Sequence, residues 1–89
     1  MVSREVAITN KLGLHARAAA KLVQLASRYQ SHIRLTKDGQ TVDGKSILGI
    51  LLLAATKGSA LFIEVNGQDE REALDALATL IGNKFDEGE

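Results

Sequence analysis

The chain has no cysteine, few aromatic residues and no excess of either charge. Without cysteine, a disulfide framework, thiol chemistry and a cysteine-based metal site are all excluded. One tyrosine and two phenylalanines are too few to form a platform on which nucleic-acid bases stack. The eleven basic residues are balanced by eleven acidic ones, which argues against broad adhesion to nucleic acid or membranes. We therefore expect no nucleic-acid or membrane partner.

Long apolar stretches are missing as well. The N-terminal residues Met1–Val6 contain no apolar signal core, and no apolar run approaches the roughly 18–20 residues that a membrane span needs. A soluble cytoplasmic protein is expected. With 89 residues, 45% of them hydrophobic, the chain can bury a modest core, and no Pro-rich or Gly/Ser-rich linker divides it. We expect a single domain over residues 1–89.

Several common active-site patterns are also absent from the sequence. It has no glycine-rich phosphate loop and no Ser/His/Asp set, and His15 and His32 have no partners at metal-ligand spacing. We therefore expect no metal and no cofactor. His32 stands at the start of a predicted strand and is interpreted as structural or solvated.

The spacing of apolar residues predicts the element order β-α-β-β-α-β-α. The predicted strands lie at Val2–Ile8, Ile33–Leu35, around Val42 and at Leu61–Val65. The first predicted helix follows His15 and buries Ala19, Leu22, Val23 and Ala26, and the other two run from Ser46 to about Leu53 and from about Asp69 to Ile81. Asp38-Gly39 is a tight-turn signal that predicts a hairpin between the second and third strands. This order indicates an α+β domain of two layers, with the helices on one face of an antiparallel sheet. The acidic end, residues 85–89, is expected to fray.

His15 stands at the start of the first helix, where backbone N–H groups are free and the helix dipole is positive. Helices usually begin with Ser, Thr, Asp or Asn, and the dipole disfavours a cation such as Arg17 in the first turn. An anion held between the imidazole and the amides of Ala16, Arg17 and Ala18 would cap the helix and pair with Arg17. His15 is thus a candidate phosphoryl acceptor and Arg17 a candidate phosphate clamp. A solvated or merely hydrogen-bonded histidine is the alternative.

The segment Gly13-Leu14-His15-Ala16-Arg17 resembles the active-site segment of the HPr family, the histidine-containing phosphocarriers of the bacterial phosphoenolpyruvate-dependent phosphotransferase system. The resemblance extends through Lys45-Ser46-Ile47-Leu48-Gly49 and Ala55-Thr56-Lys57-Gly58, and it covers nearly the whole chain. One departure is Ala18, where the family usually has proline, a residue suited to the first helical turn. The resemblance implies a two-layer open-faced sandwich whose four-stranded antiparallel sheet, in the order 1-4-2-3, carries three helices on one face. Periodicity alone leaves a ferredoxin-like order open.

The resemblance also implies a function. His15 would accept a phosphoryl group on Nδ1 from phosphorylated enzyme I and pass it to enzyme IIA components in sugar uptake and its regulation. The protein would then be a monomeric carrier and not an enzyme, although the residues themselves leave the ring nitrogen undecided. Two alternatives stay open: a regulatory phosphocarrier of the nitrogen branch, to which the ending Phe85-Asp86-Glu87 is a hint, and a βαββαβ interaction module that is never phosphorylated.

Ser46 is predicted to cap the second helix. The resemblance further implies that a serine kinase and phosphorylase modify this residue as a regulatory site. A phosphoserine at a helix start stabilises the helix, so it would act by repelling an acidic partner and not by unfolding.

Two features predict a surface for partner proteins. Arg17, Lys21, Gln24 and Arg28 recur at helical spacing and form a basic, polar stripe on the first helix. The second helix is apolar nearly all round, although a short helix in a two-layer domain buries only one side. Ile50 and Leu53, with part of the other leucines and isoleucines, can fill that side, so some of these apolar side chains are expected to be exposed to water. The residues expected to contact partners are Ala20, Lys21, Gln24, Ile47, Leu48 and Leu51. Ordinary scattered surface hydrophobicity is the alternative interpretation of the apolar ones.

Overall fold

A computed structural model describes residues 1–87 of the chain. Its strands are β1 (Val2–Ala7), β2 (His32–Lys37), β3 (Gln40–Asp43) and β4 (Ala60–Asn66), and its helices are α1 (Ala16–Ala26), α2 (Ile47–Leu52) and α3 (Glu70–Gly82). A short 3₁₀ helix, Lys84–Asp86, follows α3. The strands form one antiparallel sheet in the order β1-β4-β2-β3. The expected α+β architecture and strand order are confirmed.

One tight turn joins β2 to β3. Asp38 and Gly39 have φ angles of 51° and 81°, as both central residues of a type I′ hairpin turn require. Lys37 pairs with Gln40 across this turn, so the hairpin predicted from the Asp-Gly pair is present. β4 then returns between β1 and β2 and pairs with both.

The core lies between the sheet and the helices. Alternate residues of β2 and β4 are buried, because only one face of the sheet is covered. Helix α1 buries Ala18, Ala19, Leu22 and Ala26. Ala19, Leu22 and Ala26 belong to the predicted apolar face, of which the fourth member, Val23, lies half-buried at the edge of the core.

The end of the chain differs from the expectation. Residues 85–89 were expected to fray because most of them are acidic or glycine, yet Phe85 is completely buried in the core. Lys84, Phe85 and Asp86 all have φ between 56° and 61°, so the backbone turns sharply after α3 and contacts α1. Burying a phenylalanine ring contributes about 1.5–3 kcal/mol, which an argument from polarity alone overlooks. Residues 88 and 89 lie outside the described part of the chain.

Asp69, just before α3, connects that helix to the turn after α1. Its carboxylate accepts hydrogen bonds from the backbone N–H groups of Gln30 at 2.9 Å and Ser31 at 3.0 Å and from the Ser31 hydroxyl, and it does not cap its own helix. These bonds, that of the Ser31 hydroxyl first, lower the pKa of Asp69 below its ordinary value of 3.8. The ionised carboxylate therefore stabilises the folded chain.

Replacing Asp69 with asparagine should lower the stability at neutral pH, because an amide group cannot accept all three bonds. The folded pKa lies below the unfolded one, so the contribution of Asp69 is present above pH 3.8 and disappears as the pH falls through the lowered value. Urea unfolding of both proteins, from neutral to strongly acidic pH, measures the difference. The control is Asp75→Asn, which removes an exposed carboxylate with one partner, Arg4. Equal losses in the two variants would contradict the expectation.

Candidate functional site

Helix α1 begins at His15. The backbone of this residue is extended, with φ −76° and ψ 177°, and its carbonyl accepts the first helical hydrogen bond, from the Ala19 N–H at 2.8 Å. Within residues 1–87, the N–H groups of Ala16, Arg17 and Ala18 have no hydrogen-bond acceptor. All three amides predicted to bind an anion are therefore unpaired donors at the helix end that carries the imidazole.

Ala18 does not prevent the helix from starting where the sequence predicts. The first turn forms at Ala16–Ala18 although proline is missing there. Ala18 is completely buried, whereas Ala16 and Arg17 are exposed. An alanine also has the backbone N–H that proline lacks, so this turn carries one more donor than it would with proline.

Backbone contacts with the loop before β4 hold His15 in place. The N–H of Leu14 donates to the Ala55 carbonyl at 2.8 Å. Gly13 has φ 66°, and a Cβ at this position would stand 2.4 Å from the Ala55 oxygen. Only glycine combines this backbone conformation with so close an approach. The two loops thus fix the entry of the chain into α1.

The imidazole has a partner that the sequence analysis did not identify. His15 Nε2 lies 2.6 Å from Glu87 Oε2, and the two side chains are 26% and 15% exposed. The buried Asn10 amide donates from Nδ2 to Glu87 Oε1 at 3.1 Å and to the Gly13 carbonyl at 2.8 Å. Glu87 is 72 positions from His15 in the sequence. No local sequence pattern could have predicted that these two side chains are in contact.

The protonation of Glu87 determines which ring nitrogen carries the proton. Burial raises the pKa of Glu87. Hydrogen bonds from His15 and Asn10 and the nearby charges of His15 and Lys21 lower this pKa by a larger amount, so it lies below its ordinary value of 4.5. At neutral pH the group is a carboxylate, which only accepts hydrogen bonds. His15 Nε2 must therefore be the donor, and in the neutral ring Nδ1 has the free lone pair.

Two contacts hold the C-terminal tail, residues 84–87, against the rest of the protein. The Phe85 ring is completely buried, and Lys21 Nζ donates to the Phe85 carbonyl at 2.6 Å. Lys21, predicted as a partner contact, is therefore half-buried with its ammonium bound inside the molecule. A lone phenylalanine in a polar ending is the signal that could have indicated this anchor.

A shallow depression of mixed charge surrounds the imidazole. Its lining residues are Lys11, Leu12, His15, Arg17, Lys21, Asp86 and Glu87. Arg17 is exposed, and among the described residues its guanidinium forms no ion pair and no hydrogen bond. This side chain is available to an anion that arrives at the start of α1.

Ser46 caps α2 as predicted. Its Oγ accepts a hydrogen bond from the Gly49 N–H at 3.1 Å. The neighbouring Lys45 donates from Nζ to the Tyr29 carbonyl at 2.7 Å, which attaches the start of α2 to the turn after α1. Ser46 itself is half-buried, so the residue that caps the helix is also partly open to solvent.

Helix α2 exposes the surplus of apolar residues that the sequence predicts. Ile50 and Leu53 are buried, whereas four large aliphatic side chains reach the surface: Ile47 at 44%, Leu48 at 69%, Leu51 at 37% and Leu52 at 60% exposure. Helix α2 packs against α1, on which Ala20 is half-buried and Gln24 exposed. The predicted partner contacts thus lie on two adjacent helices.

His32 stands apart from this site. It is exposed at the start of β2 and pairs with Asn66 of β4. In the described part of the chain, no group of three or more His, Asp or Glu side chains could hold a metal ion. No helix among residues 1–87 is long and apolar enough to cross a membrane.

Known proteins are similar to this chain in both sequence and fold. The family described as the PTS HPr component phosphorylation site matches residues 2–83. The phosphocarrier protein HPr of Cupriavidus necator is 53% identical over 89 residues, the full length of both chains. The crystal structure of HPr-C-His from Thermoanaerobacter tengcongensis covers 98% of each chain with a TM-score of 0.95 at 45% identity. A crystal structure of an HPr dimer from the same organism has a TM-score of 0.77, also at 45% identity, over 96% of this chain and 98% of that one.

The burial of Phe85 predicts a large effect of its removal. Phe85→Ala should lower the free energy of unfolding by roughly 3–5 kcal/mol, as expected when a buried phenylalanine is truncated. Phe62, which is 39% exposed, is the matched control, and Phe62→Ala should cost clearly less. Urea denaturation of both variants compares them. A loss below about 1 kcal/mol for Phe85→Ala would mean that the tail is not anchored by this ring.

Proposed function

Because the chain belongs to the HPr family of phosphotransferase-system phosphocarriers, we propose that it carries a phosphoryl group on His15. It receives the group from one protein and passes it to another, so it is a substrate of the relay and not an enzyme that turns over a small molecule. The observation that carries the proposal is an imidazole at a helix start: among residues 1–87, Nδ1 of this imidazole has no partner and the first three N–H groups of the helix have no acceptor. A helix start of this kind suits a phosphoryl group.

The proposed nucleophile is Nδ1 of His15. Nε2 carries the ring proton and donates a hydrogen bond to the Glu87 carboxylate, so it has no lone pair to offer. The backbone amides of Ala16, Arg17 and Ala18 would hold the phosphoryl oxygens, and the guanidinium of Arg17 would neutralise their charge during transfer. The imidazole is partly open to solvent, as suits a group that must be handed on again.

The proposed donor is phosphorylated enzyme I, and the proposed acceptors are enzyme IIA proteins of a sugar-uptake system. Exposed aliphatic residues on α2 lie beside a polar, basic stripe on α1, and such a surface fits a partner with an apolar centre and an acidic rim. The contacts would come from Ala20, Lys21, Gln24, Ile47, Leu48 and Leu51. We propose that one copy of the chain, a single domain over residues 1–89, acts as a cytoplasmic monomer.

Removing His15 should abolish phosphorylation and leave the fold intact. The residue is partly exposed and its side chain does not cap α1, so His15→Ala removes the acceptor without opening the core. The purified protein is incubated with phosphoenolpyruvate and enzyme I, and its intact mass is measured before and after acid treatment. His32→Ala, which removes the exposed histidine on β2, should still gain one acid-labile phosphoryl group. Full incorporation into His15→Ala would contradict the assignment and favour another acceptor.

We further propose that Ser46 is a regulatory phosphorylation site for a serine kinase. Ser46→Asp should keep or slightly raise the melting temperature, because aspartate caps a helix as well as serine and its charge suits the helix start. Transfer from enzyme I should nevertheless fall, since the charge lies next to Ile47 and Leu48 on the proposed contact surface.

The complementary variant, Ser46→Ala, distinguishes the role of Ser46 as a helix cap from its proposed role as a regulatory site. It should lose about 1 kcal/mol of stability and keep near-parental transfer. Melting curves and single-turnover transfer assays on both variants decide between the roles. A parallel loss of stability and transfer in Ser46→Asp would show that the serine is a structural cap and nothing more.

A further inference from the structure

The family match ends at residue 83, but the carboxylate on His15 belongs to residue 87. We propose that Glu87 is a positioning residue for phosphoryl transfer, which keeps the ring proton on Nε2 and pairs with the positive charge that phosphorylated His15 acquires. This inference rests on the proposed function, since it gives the carboxylate a role in phosphorylating the same histidine. It also assigns a purpose to a tail that the family match does not include.

The carboxylate is held in one orientation. Its Oε2 faces His15 Nε2 at 2.6 Å, while its Oε1 accepts from the amide of Asn10 at 3.1 Å. Asn10 is itself completely buried and is fixed by its second bond, to the Gly13 carbonyl. The buried Phe85 ring anchors the backbone two residues earlier. Both oxygens and the backbone of Glu87 are therefore constrained before any partner binds, as a positioning group requires.

The charge balance of the transfer explains what the carboxylate does. The Nδ1 lone pair forms the bond to phosphorus while the bond between phosphorus and the donor protein breaks, and that electron pair stays with the donor. The proton on Nε2 remains, so the ring becomes cationic. On onward transfer the Nδ1–phosphorus bond breaks and its electron pair returns to the ring, which is neutral again. No proton enters or leaves at either step.

Glu87 faces the nitrogen at which this positive charge is exposed. The bond from Nε2–H to the Glu87 carboxylate is charge-assisted even while the ring is neutral. When phosphorylation makes the ring cationic, the Coulomb attraction between the two opposite charges is added to it. The two ring nitrogens point in different directions, which keeps the carboxylate off the side that the phosphoryl group occupies. Arg17, Lys11 and Lys21 line the same depression and offset the added negative charge, and Asp86, which also lines it, is exposed to solvent.

The test compares Glu87→Gln with Glu72→Gln in the full chain. Glutamine keeps the size of glutamate but loses the charge and presents an NH₂ group to one of two donors, His15 Nε2 or Asn10 Nδ2. Glu72→Gln makes the same chemical change at an exposed residue in the first turn of α3, outside the depression that surrounds His15. Nitrogen-15 NMR reports the ring tautomer of His15, the extent of phosphorylation at equilibrium with phosphorylated enzyme I reports transfer, and a melting curve reports folding.

For the parent we expect the Nε2–H tautomer, and for Glu87→Gln a mixture of tautomers. The equilibrium constant for accepting the phosphoryl group should fall roughly tenfold, because the variant loses the attraction between the carboxylate and the cationic ring, which exists only in the phosphorylated state. Glu72→Gln should match the parent in both measurements. Glu87→Asp, which restores the charge on a shorter arm, should recover part of the transfer.

Two results would overturn the proposal. The first is that Glu87→Gln has the same His15 tautomer and the same extent of phosphorylation as the parent. The second is that Nδ1 carries the ring proton in the parent itself, and this result can be obtained even if the variant does not fold. In both cases His15 can still become phosphorylated, so the proposed function survives. Failure of the parent to accept any phosphoryl group instead refutes the proposed function, and the tautomer measurement, which needs no donor, still decides whether Glu87 holds the ring.

Discussion

The site depends on one close backbone approach, between Gly13-Leu14 and Ala55. The hydrogen bond from the Leu14 N–H to the Ala55 carbonyl fixes the residue before His15, and it forms only because Gly13 has no Cβ to meet the same oxygen. A helix whose first residue is set by a contact between two loops needs no side-chain cap to define its start. The helix can therefore begin at a histidine, whose ring stays available for chemistry.

The C-terminal tail joins the hydrophobic core to the chemistry of the site. Phe85 is buried in the core, and Glu87, two residues later, forms a hydrogen bond with the His15 imidazole. Lys21 binds the backbone between them from α1. Any change that releases the ring of Phe85 also withdraws the carboxylate, so the stability of this tail and the state of His15 are coupled through a segment only four residues long.

The fold was largely predictable from the sequence, and the site only in part. Asp38-Gly39 indicated the β2–β3 hairpin and Ser46 the start of α2, because turns and caps depend on neighbouring residues. The strand order needed the family resemblance, since periodicity shows which face is buried and not which strand lies beside which. Glu87 could not be predicted, because its contact with His15 depends on the turn that follows α3, where Phe85 adopts an unusual backbone to bury its ring.

Ala18 gives the helix start a property that proline would remove. Its N–H is buried and has no acceptor among residues 1–87, and a buried donor without a partner is costly. Proline at this position has no amide hydrogen, so nothing there could exchange with solvent. In this chain residue 18 keeps an exchangeable amide hydrogen, and a phosphoryl group bound at the helix start would give that hydrogen an acceptor. Amide hydrogen exchange at residue 18 is thus a way to follow occupation of the helix start that a proline would not offer.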